Sequence, residues 1–395
     1  MNLFKNYLSS IKKIILNHSK ELDLKKNINL DNIIVENPPE KFDLDFSSNV
    51  ALILSKISNK NPREIAENLK NIFKKELKDF EEISIAGPGF INFKLSSLAK
   101  IRIINNIFKK KINYGSNKNN KKYNVEFVSA NPTGPLHVGH CRGAVFGDVL
   151  SNLLIFNGNS VTKEFYVNDY GNQIDDFTSS VYFRLREIKF RETFPKNKNL
   201  YPGTYIIDIA KNIFKNNPKI NLKNYNKVFK TLKKDSLKLS MKLIKNDLKD
   251  LGINHDYFFS ETKLVKSNLV DKIVKKLKKD KFVEEGFLEP PKGEENKDWK
   301  KIKRLIFKST LFGDDTNRAL QKNDGTWTYF ANDVAYHSTK VSKNYDFLIN
   351  ILGADHTGYV KRISSAVSAM SKNKIKLICK ICQLVKLFKN GAPYK

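Results

Sequence analysis

The segment Ala130-Asn131-Pro132-Thr133-Gly134-Pro135-Leu136-His137-Val138-Gly139-His140 does most to limit what this chain can become. Residues 123–129 before it alternate like a strand. After it, Val138, Val145, Val149, Leu153 and Phe156 recur at helical spacing until Asn157-Gly158 closes the run. A strand that passes through a Pro/Gly turn into a helix opening suits a nucleoside triphosphate. The first turn of a helix carries unpaired N–H groups and a partial positive charge, so phosphates settle there. Residues 160–167 are rich in β-formers and supply a second strand. Strand, turn, helix and strand at this spacing make half of a nucleotide-binding α/β sheet, whose ligands sit beyond the strand C-termini.

His137 and His140 are three residues apart and share one face of the opening turn. Imidazoles donate hydrogen bonds to phosphate oxygens, and protonation near neutral pH adds charge as a pentacoordinate phosphorus develops. Gly139 removes a side chain where the nucleotide must come close. Two other readings stand beside this one on spacing alone. The pair could ligate a metal, although no third Cys, Asp or Glu is placed nearby, or it could be two structural histidines.

The 395 residues allow two or three domains, and 40% apolar content spread along the chain excludes disorder. The formal charge of +30 invites a polyanion, since basic surfaces gain affinity by releasing counterions from nucleic acid. The excess is mostly Lys and accompanies abundant Asn, Ile and Phe, as an AT-rich genome would also impose, so composition does not choose. No apolar run reaches the ~20 residues that span a bilayer. Residues 1–20 read as an amphipathic helix and not a signal peptide, with lysines among isolated Leu, Phe and Ile. Cys379 and Cys382 form a C-x-x-C without a second pair, and read as small apolar packing residues.

The chain divides by texture. Residues 1–112 read as a small α+β domain. In it Asn61-Pro62-Arg63-Glu64 opens a helix with Ile65, Leu69 and Ile72 on one face, and strands flank Gly87-Pro88-Gly89. Residues 113–122 are a polar linker. Residues 123–395 form the sheet domain, interrupted at about 176–320 by a lysine-rich helical insertion. A strand-like run at 347–352 then leads into Gly353-Ala354-Asp355-His356-Thr357-Gly358. The fold class is α/β, a Rossmann-type parallel sheet with a helical insertion, preceded by the α+β domain.

The stretch from Val125 through His140 resembles the first signature of the class I aminoacyl-tRNA synthetases, specifically the bacterial type of arginyl-tRNA synthetase. The resemblance continues in Tyr166-Val167-Asn168-Asp169-Tyr170-Gly171-Asn172-Gln173 and in Tyr201-Pro202-Gly203-Thr204-Tyr205-Ile206. It resumes at Asp324-Gly325-Thr326-Trp327-Thr328-Tyr329-Phe330, with Asp333 and Tyr336-His337, and again at Gly353-Ala354-Asp355-His356. Gly87-Pro88-Gly89-Phe90-Ile91-Asn92 looks like that family's extra tRNA-contacting domain.

The resemblance implies a two-step reaction. The carboxylate of L-arginine attacks the α-phosphate of Mg·ATP, and the arginyl group then passes to the terminal ribose of tRNA(Arg); activation in this family requires the tRNA. Carried over, His137 and His140 are the catalytic residues. They bind ATP together with Pro132, Thr133, Gly134, Gly139, Gly353 and Asp355, whose carboxylate reaches the ribose. Glu126, Ser129, Asn131, Tyr329 and Asp333 are the arginine positions. A guanidinium offers donors in a rigid fork best matched by carboxylates, and Tyr329 and Asp333 lie four apart on a helix turn. Lysine clusters such as Lys109-Lys110-Lys111, and those of 215–280, would meet tRNA phosphates. ATP with Mg²⁺ is expected as substrate, with no tightly bound cofactor, no structural metal and no membrane partner. The expected form is a cytoplasmic monomer.

Two departures bear on activity. The sequence stops at Gly391-Ala392-Pro393-Tyr394-Lys395, where the family runs into a K-M-S-K-like second signature and then an anticodon-binding domain. The expectation is an N-terminal part with recognisable but catalytically weakened pockets. Met370-Ser371-Lys372 reads as a coincidence at a helix end, not as that signature. Thr357 stands where the family often has a second histidine. The alternatives are a catalytically inactive tRNA-binding paralogue or fragment and, further off, a small-molecule nucleotidyltransferase.

Overall fold

The computed structural model describes residues 3–24, 28–40, 43–288, 302–383 and 385–394. Lys395 therefore lies outside the described residues. The chain separates into two compact units, residues 1–117 and 118–395.

The first unit contains α1 (Leu3–Asn17), β1 (Val35–Glu36), β2 (Phe46–Ser48), α2 (Val50–Ser58), α3 (Pro62–Glu76), β3 (Phe80–Ala86), β4 (Phe90–Leu95) and α4 (Ser97–Lys110). The strands form one antiparallel sheet in the order β1-β2-β4-β3. α3 starts where the sequence asks. The Asn61 side chain accepts the Arg63 N–H at 2.9 Å, and Pro62 occupies the first turn, where its missing N–H is not needed. Ile65, Leu69, Ile72 and Phe73 are buried against the sheet residues Ile83, Ile91 and Phe93. Gly89, at φ 138°, closes the turn between β3 and β4; a Cβ there would meet the Pro62 carbonyl oxygen at 3.0 Å.

The second unit opens with β5 (Lys122–Glu126), α5 (Val138–Phe156), β6 (Ser160–Val167), α6 (Asn172–Phe190), α7 (Thr204–Asn216), α8 (Tyr225–Asp250) and β7 (Tyr257–Ser260). It continues through α9 (Glu261–Lys266), α10 (Leu269–Lys279), β8 (Val283–Gly286), β9 (Arg304–Phe307), β10 (Arg318–Ala319), α11 (Tyr329–Val341), β11 (Phe347–Gly353), α12 (Val360–Ser371) and β12 (Lys376–Cys382). Five strands form a sheet in the order β12-β11-β5-β6-β7, and every neighbouring pair is parallel. From β5 the chain steps through β6 to β7 on one side, then returns through β11 to β12 on the other. The reversal lies between β5 and β11, so the crevice beyond their C-terminal ends is where such a sheet takes ligands.

Three differences from the sequence reading are informative. The stretch 176–320 is not wholly helical. α6, α7 and α8 share a core of Phe177, Val181, Leu185, Ile206, Ile209 and Leu232. However, Tyr257–Ser260 is the edge strand of the parallel sheet, and β8, β9 and β10 make a small antiparallel sheet. A four-residue strand between lysine-rich helices is too short to show a period. β5 stops at Glu126, not at Ser129, because Val128 (φ 71°) and Ser129 (φ 45°) turn left-handed. A β-branched residue in that region is a strained turn that no residue preference announces.

On α5 the apolar recurrence marks the helix but not its inner face. Val138, Val145, Val149, Leu153 and Phe156 are exposed, while Ala144, Gly147 and Ser151 are buried. A Cβ on Gly147 would fall 2.3 Å from the Phe127 ring, so the close approach of helix to strand selects small residues. Cys379 and Cys382 pack against apolar clusters as the sequence suggested; three positions apart on β12, they point to opposite faces and into different clusters.

Candidate active site

The turn after β5 is held from below. The Tyr205 hydroxyl donates to the Thr133 carbonyl at 2.9 Å, and the Leu136 N–H donates to Asp247 of α8 at 2.9 Å. Gly134 has no side chain where the Tyr205 ring packs, 3.1 Å from where a Cβ would stand. His137 is the N-cap of α5. Its Nδ1 accepts the Gly139 N–H at 3.1 Å, and Nδ1 of His140 accepts the His137 N–H at 3.2 Å, a reciprocal capping box made of two imidazoles. With both Nδ1 atoms accepting, both protons sit on Nε2. The rings stack with centroids 3.8 Å apart. Burial, and after it the neighbouring His137, holds the His140 imidazolium below its ordinary range. The pair thus offers neutral N–H donors at a helix N-terminus, not the protonated rings expected from the sequence. Gly139 also has an intramolecular reason, since a Cβ there would meet the His137 ring at 2.9 Å.

A cavity of about 430 Å³ opens at the C-terminal ends of β5 and β11. Glu126, Ser129, Asn131, Asp333 and Gly353 line it together, five of the positions singled out in the sequence. Ser129 Oγ donates to Glu126 Oε1 at 3.2 Å and accepts the Tyr166 N–H at 3.1 Å. Asn131 is fixed by Asn168, which donates to its oxygen at 3.2 Å, and by Gln173, which accepts from its amide at 2.9 Å. The Tyr359 hydroxyl donates to Oδ2 of Asp333. Burial raises the Asp333 carboxyl to about 6, with Glu126 adding to the shift. Glu261, at the start of α9, is raised to about 7 by burial and then by Asp333 and Asp169. Both shifts are upward because burial penalises the charged form by more than the neighbouring donors return.

Not every expected residue enters the cavity. Tyr329 shares a helix face with Asp333, but it is the first residue of α11 and 81% exposed, with Lys322 Nζ 5.7 Å from its ring. Asp355 lies in an exposed turn after β11 and pairs with His356 at 3.4 Å. Pro132, Thr133, Gly134, His137, Gly139 and His140 form the turn and helix opening outside the cavity lining. Met370 and Ser371 are the buried end of α12, not a loop.

The sequence reading gave no site role to the residues in and behind the cavity's inner wall, of which Tyr336, His337 and Asn350 line it. Tyr336, His337 and Lys340 follow Asp333 at i+3, i+4 and i+7 and are all buried, as are Glu164, Asn124 and Asn350. The Tyr336 hydroxyl lies 2.8 Å from Glu164 Oε1 and 3.0 Å from Glu126 Oε2; Asn124 donates to Glu164 at 2.7 Å. The signal was present as four polar residues recurring along one face of the helix, at i, i+3, i+4 and i+7.

Two family models match this chain: the arginyl tRNA synthetase N terminal domain over residues 6–95, and the class I (R) tRNA synthetase catalytic domain over residues 103–376. An arginine–tRNA ligase of Pelagibacter ubique (strain HTCC1062) is 53% identical over 398 residues. The chain belongs to the class I arginyl-tRNA synthetases. That relative is covered over 69% of its length and this chain over 100%, with the same coverage for an arginine–tRNA ligase of Wolbachia sp. subsp. Brugia malayi (strain TRS) at 43% identity. The chain therefore spans about two thirds of the length of these ligases. The arginyl-tRNA synthetase of Thermus thermophilus has the same fold, with TM-score 0.67 at 17% identity over 96% of this chain and 66% of that one. Among the described residues no helix is long and apolar enough to cross a membrane.

Proposed function

We propose that this arginyl-tRNA synthetase chain binds L-arginine in the 430 Å³ cavity and Mg·ATP over the opening of α5. The observation that carries the reading is the meeting of Asp333 and Glu126, two carboxylates on separate elements, at the ends of β5 and β11. A guanidinium is the cation whose spread donors suit two such acceptors. Ser129 and Asn131 would fill its remaining directions or hold the ammonium end. The substrate carboxylate then faces outward and attacks the α-phosphorus, and the bond to the pyrophosphate oxygen breaks. Nε2–H of His137 and His140, with the first N–H groups of α5, stabilise the charge that gathers on the phosphate oxygens. Gly353 and Asp355, following β11, take the adenosine. The terminal ribose hydroxyl of tRNA(Arg) displaces AMP from the arginyl-adenylate. Residues 1–112 and the lysine-rich helices of 215–280 contact the tRNA. The chain acts in the cytoplasm as a monomer.

Calorimetric titration of the 395-residue chain with L-arginine and with L-citrulline tests the pocket. Arginine should bind and citrulline, of similar shape without the charge, should not; equal uptake of both would end the reading. A tRNA-dependent ATP–pyrophosphate exchange assay tests catalysis. Absent exchange with retained arginine and tRNA binding would favour the non-catalytic tRNA-binding alternative.

A further inference from the structure

One cation behind the wall of this cavity, bonded to the lining residue Glu126, has no part in the reading above. Asp333, Tyr336, His337 and Lys340 recur at the spacing of a single helical stripe on α11, and Lys340 is the innermost, with 0% exposure. An ammonium so placed persists only when paired and hydrogen-bonded. Its partner is Glu126, 214 residues away in the chain. Lys340 Nζ donates to Oε2 at 2.5 Å, and the Tyr336 hydroxyl reaches the same oxygen at 3.0 Å. Asn350 Oδ1 lies 3.5 Å from the ammonium. Oε1, the other oxygen of Glu126, has no bond to Lys340 or Tyr336 and accepts the hydroxyl of Ser129, which lines the cavity beside it. Asp333 is divided in the same way, with Tyr359 on Oδ2 and, among the described residues, no donor on Oδ1.

We propose that Lys340 is a positioning residue for guanidinium recognition, fixing Glu126 so that a single oxygen, held apart from that of Asp333, meets the ligand. The inference rests on the arginine reading. A carboxylate free to turn would grip one edge of any cation with both oxygens. Two carboxylates that each present one fixed oxygen favour a ligand whose donors are spread over a rigid plane, and disfavour the point-like ammonium of lysine.

The surroundings of Glu126 make Lys340 decisive. From α11 it meets Asp333, Tyr336 and His337 as well as the lysine; from β6, Glu164 and Tyr166; from β12, Cys379. His337 is held neutral, lowered to about 4 chiefly by burial, with Nδ1–H donating to the Asp333 carbonyl and Nε2 accepting from Asn350. Burial pushes the Glu126 carboxyl up; Lys340, the first of the groups that oppose this, together with His337 and the Tyr336 hydroxyl, brings it below its ordinary range. Without the ammonium, Glu126 is a buried charge among acids and aromatics and takes up a proton.

The experiment is titration of the full chain with L-arginine from pH 7 to 8.5, comparing the unsubstituted protein with Lys340→Met and Tyr336→Phe. The unsubstituted chain should show a flat affinity. Lys340→Met should bind about tenfold more weakly at pH 7 and regain most of that by pH 8.5, as Glu126 ionises. Tyr336→Phe should shift the same way by about threefold. A loss in Lys340→Met that is equal at every pH, or no loss, overturns the proposal. If Lys340→Met does not fold, the pH profile of Tyr336→Phe decides alone, and a flat one overturns it. Infrared spectra read Glu126 independently. Lys340→Met at pH 7 should show a protonated carboxyl band that Lys340→Met/Glu126→Gln lacks, and its absence also overturns the inference. Failure of the unsubstituted chain to bind arginine while that band appears would reject the pocket reading and keep the lysine's hold on Glu126.

Discussion

The opening of α5 and the inner stripe of α11 both serve one proposed reaction, yet they are built on opposite plans. The α5 opening is local and wet: His137 and His140 are bonded to backbone two and three residues away, and His137 is exposed. The α11 stripe is remote and dry: Lys340 and Tyr336 reach Glu126 and Glu164 across 172 to 214 positions of the chain, and all four are buried. The contrast suits the ligands. A triphosphate brings its own charge and needs donors that stay neutral at a helix N-terminus, where an imidazolium would be repelled. A guanidinium needs acceptors that ionise in a low dielectric: beside Lys340 the Glu126 carboxyl is lowered despite its burial, whereas Asp333 is raised by burial to about 6 and ionises only above that.

The sharpest way to break this contrast is a pair of substitutions read against both ligands. Asp333→Asn removes a buried carboxylate whose charged form burial already disfavours, so the fold should survive while arginine affinity falls about 10²-fold. ATP affinity, measured in the same calorimeter, should move less than twofold. His140→Ala should do the reverse, weakening ATP about tenfold through a lost N–H donor and leaving arginine and tRNA affinity within twofold. Equal losses of both ligands in either variant would mean the two halves are one structural unit.

A gentler test uses pH. Asp333 must be ionised to hold a guanidinium, and its carboxyl is raised to about 6. Arginine affinity should therefore be level above pH 7 and fall by up to tenfold per unit below about 6, while ATP affinity stays level over that range. The sign for stability is opposite. A carboxyl whose folded pKa lies above its unfolded value takes stability away as pH rises from about 4 to 6, so arginine should protect the fold most above pH 6. A pH-independent arginine affinity down to pH 5 would place the recognition elsewhere.

The same contrast explains what the sequence let us see. The helix opening was legible because its signals are adjacent: a Pro/Gly turn, two imidazoles and a strand on either side, all between residues 122 and 167. The parallel sheet followed from those units, since β5, β6 and β11 each end in a recognisable turn. The reach of β7 was not legible, because four residues carry no period. Nor was the buried face of α5, where glycine and serine do the packing and the larger apolar residues stay outside. In the cavity Glu126, Ser129, Asn131 and Asp333 could be named from a resemblance, whereas Lys340 could not. A lysine in a chain with 71 basic residues reads as surface until its position places it at zero exposure.

The left-handed bend at Val128 and Ser129 has a geometric consequence for this wall. In an unbroken strand, positions 126 and 129 would look out from opposite sides of the sheet, and a serine could never touch that glutamate. Reversing the backbone twice swings Ser129 round to the glutamate's side, 3.2 Å from Oε1. A straighter variant would carry the same residues in the same order and lose the hydroxyl that steadies the oxygen facing the ligand.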